Sequence, residues 1–163
     1  MPFSDLQRRW FADNIQHLDS HAKVVTVDLK AGLVRYHASL RCDEALQRPA
    51  NDEELVRALT LVILASNHYG YGLDSFYIEK YYKHGHPSSK QDEVDLVLFD
   101  PDDLPFALWE FKAPSDFKKN ADDYIRYQLF GTAPLVGAPK FLVYATGVPP
   151  ENWSRNYDSP PVG

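Results

Sequence analysis

Two short apolar runs, VDLVLF and FALWEF, stand either side of PDDLP in the middle of the chain. The interruption reads as a tight acidic turn carrying two prolines, so the runs are predicted to be two strands of a hairpin. Each run carries polar groups that a purely structural strand would not need. Asp95 enters near the start of the first, and Glu110 and Lys112 flank Phe111 at the end of the second. Side chains alternate along a strand, which puts Glu110 and Lys112 on one side and turns Phe111 to the other, toward packed core. If the hairpin pairs so that Asp95 lies near Glu110, two carboxylates and a lysine converge in a grouping able to hold a divalent metal and a water.

The chain has 163 residues, 44% of them hydrophobic, enough for one domain with an adequate core. Cys42 stands alone, which rules out an intrachain disulfide and removes cysteine-based zinc sites. No apolar run approaches the ~18 residues needed to span a bilayer, and MPFSDLQRR lacks the apolar stretch of a signal peptide, so a cytoplasmic protein without membrane contact is expected. The net charge of -6 opposes tight, autonomous binding to a phosphate backbone. It leaves room for catalysis on DNA, because a metal held by an acidic cluster reverses the local field.

In order along the chain, Ser4 and Gln7 form a candidate capping box ahead of a helix from about Phe3 to Leu18. KVVTV predicts a strand from Lys23 to Asp28, and the segment from Leu33 to Leu40 is open between strand and loop. Residues 43–50 read as a connection with at most one helical turn. Asn51 or Asp52 caps the clearest helix, whose buried face is traced by Leu55, Leu59, Val62, Ile63 and Ser66 and which Gly70 or Gly72 ends. LDSFYIEKYYKHG follows as a strand, then a polar loop, then the hairpin. After KAPSD a helix is predicted, with Ser115 or Asp116 as cap and a body through NADDYIRYQLFG. GAPKFLVYATG supplies a last strand from Lys140 to Ala145. The sum predicts an α/β arrangement, a central mixed β-sheet flanked by helices. Residues 1–150 are expected to form this domain and residues 151–163 a tail, or a linker toward a downstream domain.

The tripeptide of an acid, any residue and lysine occurs three times, as DLK at 28–30, EFK at 110–112 and DFK at 116–118, so alone it identifies nothing. Only EFK combines a strand end with an upstream strand bearing an acid. Magnesium needs oxygen ligands and keeps several waters, so Asp95 and Glu110 with the Phe111 carbonyl form a sufficient protein set. Lys112 would orient the attacking water and offset charge building on a phosphorane. The same spacing also fits a hairpin-capping Asp95 beside a solvent-facing pair of Glu110 and Lys112, worth only ~0 to 1 kcal/mol.

The run QDEVDLVLFDPDDLPFALWEFKAP resembles the core of the PD-(D/E)xK nuclease superfamily and, within it, the N-terminal nuclease domain of type I restriction enzyme motor (R) subunits. NDEELVRALTLVIL matches the family's preceding helix, YIEKYYKHGH the stretch before the first catalytic strand, and FLVYATG the strand after the last helix. The resemblance covers residues 50–147. It implies a restriction-endonuclease-like fold and a Mg²⁺-dependent endonuclease domain hydrolysing DNA, with Asp95 and Glu110 as metal-binding acids and Lys112 as the catalytic lysine. It further implies Glu54 or Glu53 as the helix acid, Arg57 as its basic companion, and Glu79 as an acid beside the metal. The implied partners are DNA, an ATP-driven motor domain and modification and specificity subunits, with any ATP bound by the motor. Where relatives carry a glutamine four residues before a tyrosine, this chain has Asp123 before Tyr127, with Gln128 one helical step away. Val94 stands where a proline often precedes the first acid. The departure at Asp123 motivates the alternative of a catalytically silent module of the same fold that docks a motor or specificity partner.

Lys118, Lys119 and Arg126 form a candidate basic face for DNA phosphates on the helix after EFK. His84 and His86 in the polar loop, with Asp92, give a weak metal set, and an exposed loop explains them more simply.

Overall fold

The computed structural model of the chain describes residues 2–21, 23–66, 69–83, 91–116, 121–123, 125 and 130–149, and side chains at all of these except 83, 91 and 123. His84, His86 and the expected tail at 151–163 lie outside the described residues.

The first helix, α1 (Asp5–Leu18), starts where its capping box requires: the Gln7 N–H donates to the Ser4 hydroxyl and the Ser4 N–H to the Gln7 side chain. It packs Phe11 and Ile15 inward. Strands β1 (Val25–Asp28) and β2 (Leu33–Tyr36) pair antiparallel around Gly32, whose positive φ of 68° the turn needs. After β3 (Arg41–Cys42) comes β4 (Gln47–Pro49), inside the stretch expected to be a connection. Pro49 sits at the strand's last position, where a missing N–H is tolerated, so β4 adds to β2 as an edge.

Helix α2 (Asp52–Ala65) is capped by the Asn51 side chain, which accepts from the Glu54 N–H at 2.8 Å. It ends earlier than Gly70 or Gly72: Ser66 is extended and its hydroxyl donates to the Ile63 carbonyl. The buried face is also rotated from expectation. Leu55, Ala58, Leu61 and Val62 are buried, while Ile63 is exposed.

A short 3₁₀ turn, Leu73–Ser75, leads into β5 (Phe76–Lys83), β6 (Gln91–Phe99) and β7 (Pro105–Phe111). The acidic turn between β6 and β7 is held by the Asp100 carboxylate, which accepts from the Asp102 and Leu104 N–H groups. Helix α3 (Ala121–Asp123) and helix α4 (Phe130–Val136) precede β8 (Phe141–Ala145). Helix α4 runs past Gly131, where the predicted helix was expected to stop.

Two sheets result. The smaller is antiparallel, in the order β1-β2-β4; the larger is mixed, in the order β3-β5-β6-β7-β8, with β3 parallel to β5 and β8 parallel to β7. One core lies between the larger sheet, α1, α2 and the small sheet, around Phe11, Ile15, Leu55, Leu61, Ile78, Leu96 and Phe111. A second, on the opposite face, gathers Val94, Val97, Phe99 and Leu108 under Val136 of α4. This is an α/β fold in which a mixed sheet is flanked by helices. Gly147, past the end of β8, fits between the sheet and α2: a Cβ there would meet Val56 at 3.3 Å and Phe11 at 3.5 Å. No helix among the described residues is long and apolar enough to cross a membrane.

Candidate active site

The antiparallel register of β6 and β7 pairs Leu96 with Trp109, so the next step brings Asp95 opposite Glu110. The ladder ends at that step. Asp95 bridges the opening with its side chain, accepting the Phe111 N–H at 2.6 Å through Oδ2. On β7 the Lys112 N–H donates to the Ala145 carbonyl, across to β8. Successive residues of a strand turn their peptide groups to opposite sides, so the Phe111 N–H and C=O leave together on the side of Asp95. Asp95, Glu110 and the Phe111 carbonyl are thus carried by neighbouring strands at the open end of one ladder.

All of this is buried. Asp95 is 7% exposed, Glu110 5% and Phe111 0%. The Lys112 ammonium lies 2.5 Å from Glu110 Oε1, with only 14% of its side chain exposed. The solvent-facing ion pair that spacing also allowed is therefore not what β7 carries. Burial, then repulsion from Asp95, pushes the Glu110 carboxyl up to about 7 despite the nearby Lys112. Asp95 is raised as well, by burial, against the lowering influence of Arg57 and the Phe111 N–H. The contact with Glu110 holds the Lys112 ammonium above its ordinary value against burial.

The alternation of the sheet breaks at this place. Val94 belongs to the core under α4, yet Leu96, two residues on, lies in the opposite core. β5 reverses between Ile78 and Tyr82 in the same way. Ladder pairs Ile78–Leu96 and Lys80–Val94 leave Glu79 across from Asp95. Glu79 takes a φ of 50°, a left-handed conformation that is costly for a residue with a Cβ. The reversal lets Asp95 direct its carboxylate to the neighbouring strand's backbone instead of into either apolar layer.

Behind Asp95 lies a buried network of ions. Arg57, 3% exposed, pairs with Glu54 at 2.9 Å and with Glu79, and points Nη1 at the Asp95 carbonyl, 3.4 Å away. Arg48, from β4, reaches Glu79 at 3.0 Å and also pairs with Glu44. The Tyr36 hydroxyl donates to Glu54. Burial raises Glu54 against these partners. Burial opposes ionisation of Glu79 too, but the hydrogen bond with Glu93 and the Arg57 guanidinium hold it below its ordinary value. Glu79, Glu93 and Asp95 bring carboxylate oxygens within 4.8 Å of one another. The contact with Glu79 pushes Glu93 up to about 8. With Arg48 and Arg57 also present, this side of Asp95 is already neutralised. On its other side, Asp95 faces Glu110, whose carboxylate is paired with Lys112.

The two helix acids separate clearly. Glu54 turns into the arginine network, whereas Glu53 is raised first by burial and next by the charge of Asp95, with Lys112 opposing. Glu53 in turn contributes to raising Glu110. The acid that faces Asp95, Glu110 and Lys112 is therefore Glu53, and Glu54, the residue preferred from the resemblance, positions Arg57. Glu93, Arg48 and Tyr36 were missed: QDE reads as the end of the polar loop, although β6 starts at Gln91, and QRP reads as a connection. Asp123 lies in α3, with its side chain outside the described set, and Lys118, Lys119, Arg126, Tyr127 and Gln128 lie outside the described residues.

The shift of Glu110 makes a pH-dependent prediction. Its folded value of about 7 stands above the ordinary 4.5, so the protonated form's stability is fully present below pH 4.5 and is lost as pH rises through 7. In metal-free buffer, Glu110→Gln should match the wild type near pH 4.5 and exceed it at pH 8 by up to about 3 kcal/mol in urea unfolding. A variant no more stable at pH 8 than the wild type would show that Glu110 ionises without cost.

No protein-family model matches the chain, and no curated protein matches it.

Proposed function

We propose that residues 1–150 form a divalent-cation-dependent nuclease domain of restriction-endonuclease-like type, hydrolysing phosphodiester bonds in DNA. The observation that carries this reading is the meeting, at the opening between β6 and β7, of two buried carboxylates that repel each other, Asp95 and Glu110, with the Lys112 ammonium 2.5 Å from the second. Structural ion pairs do not need a second buried carboxylate pressed against the first. A cation between them would relieve that repulsion. The donor set fits magnesium: two carboxylates and the Phe111 carbonyl are all hard oxygen ligands, and none is nitrogen or sulfur. When bound there, the ion supplies charge neutralisation for a phosphodiester under attack.

The chain's own groups divide the remaining work. Asp95 is fixed by its bond from the Phe111 N–H, so its free oxygen is held at the locus without a search over rotamers. Glu110 accepts from Lys112, which fixes the ammonium within reach of a phosphate oxygen and of the water that attacks it. Glu53 adds a partly buried acid on the α2 side, able to accept a hydrogen bond from that water. Arg57 and Arg48 hold Glu79 and Glu54 and so keep the network behind Asp95 neutral. The resemblance to the motor subunits of type I restriction enzymes supports DNA as the substrate, with an ATP-driven motor domain and specificity and modification subunits as the partners that deliver it.

The test is a supercoiled plasmid incubated with the chain and Mg²⁺, with EDTA as control. Nicking or linearisation that requires the metal and disappears in Lys112→Ala supports the reading. Cleavage of equal rate in wild type and variant would sink it. An intact plasmid, together with no Mg²⁺-induced rise in thermal stability, would leave the fold as a silent docking module.

A further inference from the structure

The chain is acidic overall, yet one cleft is basic. A cavity of about 500 Å³ opens between α1 and the β1–β2 turn, lined by Asp5, Arg8, Arg9, Leu29, Lys30, Gly32 and Ala50. Three cations face it against a single carboxylate. Arg8 is anchored, donating to the Ala50 carbonyl at 2.9 Å and pairing with Asp52 at 2.7 Å. Asp52 is buried and also accepts the Phe3 N–H. Arg9 and Lys30 are exposed, and among the described residues neither makes an ion pair or a hydrogen bond. Two cations unpaired among the described residues, one on a helix and one in a tight turn, are free to take an anion between them, the Arg9 guanidinium with a two-pronged donor set and the Lys30 ammonium as a point charge.

The cleft's lining reaches Ala50, two residues before α2. Ala50 and Asp52, which hold Arg8, are followed directly by Glu53, the acid that faces Asp95 and Lys112. The basic cleft and the candidate active site therefore flank the same helix terminus. A polyanion engaged at both would run past the first turn of α2. An isolated phosphate would gain only from the cleft, whereas a DNA backbone places charges at regular intervals along such a path.

We propose that Arg9 and Lys30, backed by Arg8, bind a backbone phosphate of duplex DNA displaced along the strand from the phosphodiester at Asp95 and Glu110. This rests on the nuclease reading for the direction of the strand, but its test does not depend on cleavage. The grip is electrostatic and indifferent to base sequence, as suits a domain whose target choice comes from elsewhere.

The experiment uses the full chain, a fluorescein-labelled duplex of arbitrary sequence and EDTA, with anisotropy measured from about 50 mM to about 200 mM salt. The expected result is that Arg9→Ala/Lys30→Ala weakens binding by about tenfold or more and lowers the slope of log affinity against log salt by about 0.9, the share of the one phosphate no longer neutralised. Both positions are exposed and outside the core, and an unchanged thermal midpoint will certify the fold. Wild type and double variant binding alike, or no binding by the wild type at the lowest salt, overturns the cleft. Plasmid cleavage assayed in parallel separates the two ideas: binding lost with the cleft substitutions in a chain that never cleaves keeps the cleft and removes the nuclease. Cleavage retained with unaltered affinity does the reverse.

Discussion

Arg57→Ala should be the most damaging single substitution for stability, lowering it by about 3–5 kcal/mol, because the side chain leaves Glu54 and Glu79 buried with one fewer positive neighbour. A domain of this size has about 5–15 kcal/mol in all, so the variant should melt roughly 10 °C lower and be recovered poorly in soluble form. The loss comes from stranded charge more than from lost packing, and that distinction is measurable. Combining Arg57→Met with Glu54→Gln and Glu79→Gln should return much of the stability, since an apolar side chain between two neutral amides leaves no unpaired ion. Arg57→Lys should fall between, because one ammonium cannot address Glu54, Glu79 and the Asp95 carbonyl in three directions as the guanidinium does. Circular-dichroism melts at pH 7 provide the comparison. A melting point for Arg57→Ala within a degree or two of the wild type would mean that Arg48 alone balances the cluster.

The second large effect is expected on the metal-dependent cleavage proposed for this chain. Asp95→Asn is expected to reduce Mg²⁺-dependent cleavage by about 10³-fold or more, and Lys112→Ala by about 10²- to 10³-fold. Asparagine is the informative replacement at 95. Its amide oxygen still accepts the Phe111 N–H, so the bridge between β6 and β7 persists while the charge is removed. Asp95→Ala would instead leave that buried N–H without its acceptor, at about 1–3 kcal/mol, and confuse folding with chemistry. Titration of Mg²⁺ against the thermal midpoint distinguishes the roles. Asp95→Asn should abolish the stabilisation by metal, and Lys112→Ala should retain it while losing cleavage. Loss of metal stabilisation in Lys112→Ala, or its persistence in Asp95→Asn, would reverse the assignment.

The hairpin and its three polar residues were legible because strand alternation is strict and the turn is marked by two prolines. From that pattern it followed that Phe111 would be buried and that Glu110 and Lys112 would share a side, and the structure has both. The choice between Glu53 and Glu54 was not legible. Adjacent helical residues differ by about 100° in direction, and the rotation of α2 depends on tertiary packing that periodicity resolved wrongly at Ile63. Arg48 was hidden for another reason: a short edge strand ending in proline has too little pattern to announce itself, yet its pairing with β2 carries Arg48 to Glu79. Glu93 looked like an ordinary solvated residue, since its contact with Glu79 spans β5 and β6 and becomes visible only with their register.

On β6 the core under α4 takes Val94 before Asp95 and Val97 and Phe99 after it, whereas the core against α1 and α2 takes only Leu96 and Leu98, after it. The two layers meet along a polar seam made of Glu79, Asp95 and the groups that hold them. The strand that carries Asp95 is packed on one face before it and on both faces after it. A carboxylate placed at that crossing is held by the packing of both layers while its oxygens meet the backbone of the neighbouring strand.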